Sequence, residues 1–63
     1  MKRKWLIYYR NKKKKTQSNI AEGVGISQQY YSKIEKGIRT PSTSLAKEIA
    51  KLLEFEWTRF YEE

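Results

Sequence analysis

The sequence predicts an all-α fold of five short helices, and three observations carry that reading. Apolar residues recur at helical spacing in separate stretches, Ser or Thr stands ahead of the second, third and fourth of them, and Gly stands behind the second and third. The first helix is expected from about Lys4 to Lys13, with Leu6 and Tyr9 turned inward and Trp5 partly covered. Thr16 caps a second helix that opens at Gln17 and carries Ile20, Ala21 and Val24 on one face, until Gly25 stops it. Gly23 inside that helix is a liability of about 1 kcal/mol relative to Ala. Ile26 gives one buried contact in the tight turn, and Ser27 caps a third helix. Tyr31 and Ile34 point inward, Tyr30 either packs on the flank of the second helix or turns its hydroxyl out to a phosphate, and Gly37 ends the third.

Residues 38–42 form a loop, because Pro41 disfavours helical backbone at Thr40. Ser42 then caps a fourth helix with a core stripe of Leu45, Ala46, Ile49, Ala50, Leu52 and Leu53. The tail EFEWTRFYEE reads as a short fifth helix that places Phe55, Trp57 and Phe60 inside.

With 63 residues the chain is one domain, residues 1–63, with a small core. A chain of this size buries only about 60% of its unfolded surface. It has no Cys, so neither a disulfide framework nor a thiolate metal site is expected. No apolar run approaches the ~20 residues of a membrane span. The basic N-terminus lacks the apolar region of a signal peptide, and the setting expected is reduced and intracellular. Fourteen Lys and Arg against seven acids leave a net charge of +7. Residues 1–21 hold eight bases and no acid, whereas Glu54, Glu56, Glu62 and Glu63 crowd the other end. Such an asymmetric positive charge suits a polyanion.

The third helix carries the functional argument. At helical pitch Gln28, Gln29, Ser32, Lys33 and Lys36 fall within an arc of roughly 140°, opposite Tyr31 and Ile34. A solvated face usually mixes Glu with Lys, but this arc contains no acid. Gln pairs bidentately with adenine, Lys donates to guanine, and Ser serves either base. The chain has no His, Cys or Asp and no phosphate-binding Gly loop, so no catalysis, cofactor or metal is expected.

Several pieces occur in a recognisable order: Thr16-Gln17, Ile20-Ala21, VGIS from Val24, IEKG from Ile34, RTPS from Arg39, and Leu45 to Leu53. With these spacings the chain resembles the phage-repressor and Cro-type helix-turn-helix family, the lambda-repressor-like domains of bacterial DNA-binding regulators, over roughly Leu6 to Tyr61. The resemblance implies a five-helix bundle whose third helix enters the major groove of a double-stranded operator. Gln28, Gln29, Ser32 and Lys33 would then read bases. Gln17, which in the family also buttresses the first Gln of the recognition helix, would contact the DNA backbone together with Lys36, Arg39, Thr40, Lys14 and Lys15. It also implies that Arg10 pairs with Glu35, which would otherwise repel phosphates from the edge of the reading face. The tail would lie near a homodimer contact formed at least on DNA, with Trp57 and Tyr61 as the candidate residues. A cytoplasmic, nucleoid-associated repressor without a small-molecule effector follows.

Three positions depart from the family pattern. Lys14 and Glu54 stand where a helix-ending Gly is common, and Lys15 replaces a small core hydrophobe and would lay its methylenes on the core. The competing reading is a protein-interaction adaptor or antitoxin-like module on the same fold, gripping its partner through the tail aromatics.

Overall fold

Among the described residues four α-helices and a closing 3₁₀ helix follow one another: α1 Lys4–Lys12, α2 Gln17–Val24, α3 Gln28–Glu35, α4 Thr43–Leu53, and the 3₁₀ helix Trp57–Tyr61. A computed structural model describes residues 2–62. Glu63, counted in the acidic tail, lies outside the described residues.

The joints are set locally. Thr16 and Asn19 form a capping box: the Thr16 hydroxyl accepts from the Asn19 N–H, and the Asn19 carbonyl oxygen accepts from the Thr16 N–H, both at 3.0 Å. The Ser27 and Ser42 hydroxyls accept from Tyr30 N–H at 3.1 Å and Leu45 N–H at 3.2 Å. Gly25 leaves α2 at φ 77°, a left-handed conformation that glycine enters without cost from a side chain. Lys14 and Glu54 take the same conformation at φ 57° and 62°. The backbone there demands what the family's glycine supplies, and the substitution costs about 1–2 kcal/mol at each site. Lys13 Nζ bridges the two turns by pairing with Glu54 Oε2. Lys15 is exposed rather than laid on the core; its turn is held through the backbone, where its carbonyl accepts from Arg10 Nη1 at 3.0 Å.

The core is Leu6, Ile20, Ala21, Tyr31, Ile34, Ala46, Ile49, Leu53 and Phe60. α2 packs on both α3 and α4, α1 on α3, and the 3₁₀ helix on α4. Two expectations need correction. Leu52 is 40% exposed, at the rim of the α4 stripe, where it lies over Gly23. A Cβ on Gly23 would come within 3.0 Å of Leu52 Cδ2, so the glycine permits a close approach of α2 and α4. The fifth element is 3₁₀ rather than α: it spans only five residues, and the Arg59 N–H bonds three residues back to Glu56. Of the tail aromatics expected inside, Phe60 is buried, while Phe55, ahead of the 3₁₀ helix, and Trp57 are only half-buried. Trp5 meets Phe55 and Phe60 edge-on at 5.3 and 5.1 Å, and Tyr9 stacks on Phe55 at 5.1 Å, which closes α1 over the tail. No helix among the described residues is long and apolar enough to cross a membrane.

Candidate nucleic-acid interface

α3 divides cleanly between core and solvent. Tyr31 and Ile34 are fully buried, whereas Gln28, Gln29, Lys33 and Lys36 are exposed and Ser32 is half-buried. Gln17, the first residue of α2, joins those five in lining a shallow groove. The fold thus gathers all four candidate base-reading residues with two of the candidate backbone contacts. Arg39 and Thr40 are exposed on the loop after α3, and Lys14 and Lys15 on the turn before α2.

One carboxylate on α3 lies close to this groove, and it is sealed off. Glu35 is 1% exposed. Arg10 grips it with a fork: Nε donates to Oε2 at 2.6 Å and Nη2 to Oε1 at 3.2 Å. The amide of Gln17 donates to the same Oε1 at 2.8 Å. The resemblance implies that Gln17 braces Gln28; here its amide is committed to Glu35, and it meets Gln28 as a fellow wall of the groove. The hydrogen bond to Glu35 raises the pKa of Arg10, partly offset by burial, so the guanidinium stays charged. The Tyr31 hydroxyl is buried beside the pair, and its pKa is driven up, first by burial and then by the Glu35 charge. Among the described residues that line the groove there is no acid to cancel the fields of Lys33 and Lys36.

A residue that spacing did not single out proves central. Arg3, counted with the basic N-terminal run, is 4% exposed and hydrogen-bonds to the end of α3 and to the loop beyond it. The one available signal was that it is an Arg among lysines, since the rigid guanidinium fork reaches acceptors on two edges that a compact ammonium cannot span. Tyr61 is 47% exposed, and its hydroxyl donates to the Pro41 carbonyl at 2.8 Å. Trp57 is half-buried under Lys47, whose Nζ lies 5.0 Å from the ring centroid.

Two helices joined by a turn at residues 25–27, with one polar helix face turned outward, define a helix-turn-helix unit. The sequence pattern of the helix-turn-helix family matches residues 6–60, and the chain belongs to this Cro- and repressor-like family of DNA-binding transcription regulators. It is 43% identical over 63 residues to an uncharacterized HTH-type transcriptional regulator, YqaF, of Bacillus subtilis (strain 168), across 100% of this chain and 83% of that protein. No solved structure matches it.

Proposed function

We propose that this chain is a non-enzymatic, sequence-specific repressor of transcription that lays α3 in the major groove of duplex DNA. The observation that carries the reading is the groove of Gln17, Gln28, Gln29, Ser32, Lys33 and Lys36, with its neighbouring carboxylate locked beneath Arg10. Gln28 and Gln29 present bidentate amides suited to adenine, Lys33 a donor suited to guanine, and Ser32 a hydroxyl for either. Gln17, Lys36, Arg39 and Thr40, flanked by Lys14 and Lys15, fix the register through phosphates. A homodimer would place two such helices about 34–36 Å apart on a pseudo-palindromic operator, with the exposed ring of Tyr61 and half of Trp57 as contact candidates. It would act on cytoplasmic, nucleoid DNA with no cofactor or effector.

Titration with random-sequence duplex at several salt concentrations tests the reading. The expected logarithmic slope against salt gains about −0.9 for each of Lys14, Lys15, Lys36 and Arg39 that meets a phosphate. Selection of bound fragments from a random duplex library then yields the operator. Binding that ignores salt, or is absent, would leave the adaptor reading ahead.

A further inference from the structure

The loop after α3 is held from two sides by groups remote in sequence. Arg3 Nη1 donates to the Ile34 carbonyl at 2.6 Å and to the Arg39 carbonyl at 2.8 Å, and Nη2 donates to Thr40 Oγ1 at 3.2 Å. The Arg3 backbone N–H donates to the Glu35 carbonyl at 2.7 Å, and its guanidinium carbon lies 5.5 Å from the centroid of the buried Phe60 ring. From the other side Tyr61 holds the Pro41 carbonyl. Residues 39, 40 and 41 are each anchored, yet the side chains of Arg39 and Thr40 remain exposed.

Chemistry gives this clamp a direction. A guanidinium donates and never accepts, so the Thr40 oxygen accepts a hydrogen bond from Arg3 and its own O–H must point elsewhere. The Thr40 hydroxyl is thereby a donor toward solvent, the polarity that a phosphate oxygen requires. Fixing the Arg39 carbonyl likewise fixes where its side chain leaves the loop, so less ordering remains for the moment of binding. We propose that Arg3 is a positioning residue for DNA binding, pre-setting Arg39 and Thr40 against the phosphate backbone through Thr40 Oγ1 and the Arg39 carbonyl. The proposal rests on the DNA-binding reading above.

Arg3→Lys is the informative variant, because it keeps the charge and the stem but cannot serve three acceptors in one plane. The salt dependence of binding to a random-sequence duplex is measured for wild type, Arg3→Lys, Arg39→Ala and the double variant. Each single variant is expected to flatten the slope by about 0.9, which over the tenfold range from about 0.1 M to 1 M salt is roughly an 8-fold weakening at the lower concentration. The double variant is expected to lose no more than either alone, and base preference at the position read by Gln28 should not move. Thr40→Val serves as a second arm, expected to weaken binding without changing the slope, since the hydroxyl is neutral. An Arg3→Lys chain that melts earlier but keeps the wild-type slope overturns the assignment, as do single effects that add in full. A wild type with no salt-sensitive binding overturns the DNA-binding reading itself.

Discussion

Removing the charge of Arg10 tests how the Glu35 carboxylate at the end of α3 is held neutralised. In Arg10→Met the Glu35 carboxylate stays behind, 1% exposed, with the Gln17 amide as its remaining hydrogen-bond donor of the three described. Stranding one partner of a buried ion pair costs about 3–5 kcal/mol, because desolvation of the survivor is no longer offset. At about 0.05–0.15 kcal/mol per residue, 63 residues support about 3–9 kcal/mol in total. The variant should therefore lose at least a third of the chain's stability, and unfold at 25 °C if the total lies in the lower part of that range. The opposite truncation is milder: the Arg10 side chain is 15% exposed against 2% for Glu35, so in Glu35→Gln the guanidinium has a path to water. Replacing both partners in Arg10→Met/Glu35→Met leaves no buried charge and is expected to recover most of the loss. Urea unfolding followed by circular dichroism ranks the four proteins. A cost below about 1 kcal/mol for Arg10→Met, the range of a surface pair, would refute the reasoning. So would a double variant no more stable than Arg10→Met.

Gln28→Ala should cost about 1–3 kcal/mol on the selected operator and relax preference at one base position; equal weakening on every sequence would rule out base reading by that residue. Gly23→Ala should raise the melting temperature, because about 0.5–1 kcal/mol of helix preference is gained and the atom in the way, Leu52 Cδ2, is the movable end of a partly exposed side chain. A lower melting temperature would show that Leu52 cannot yield. Tyr31→Phe removes a buried hydroxyl that has no hydrogen-bond partner among the described residues, and is expected to leave stability unchanged or raise it by up to about 1 kcal/mol. Because burial raises the folded pKa of Tyr31, the unfolded chain ionises first, so stability is untouched below tyrosine's ordinary value and falls as pH rises beyond it. Alkaline unfolding curves should accordingly be flatter in Tyr31→Phe. Glu54 titrates below its ordinary value because Lys13 hydrogen-bonds its carboxylate, so that contribution is present above the ordinary value and fades as pH falls through the folded one. A carboxyl NMR titration of Lys13→Met should return Glu54 toward the ordinary range; no change would mean that the pair does not persist in solution.

The caps at Thr16, Ser27 and Ser42 and the stop at Gly25 stand in the sequence because each depends on residues within one turn. So do the outward arc of α3 and the inward Tyr31 and Ile34, since helical pitch alone separates them. Where the tail winds, 3₁₀ rather than α, was not legible: five residues give too few local bonds to decide, and packing on α4 and Trp5 does. Leu52 carried the right residue type for the core, but the close approach at Gly23 sets which edge of α4 is covered. Arg3 looked like one more base in a basic run, and became a clamp once folding brought partners 31 to 37 positions away within its reach. Glu35 likewise drew the Gln17 amide only after α2 packed on α3. The sequence by itself determined where α2, α3 and α4 begin, where α2 stops and which face of α3 meets solvent, since those depend on neighbours a few residues apart. Tertiary structure alone decided which charges are sealed and which loop is held, because a side chain with several possible partners takes the ones that close packing leaves within hydrogen-bonding distance.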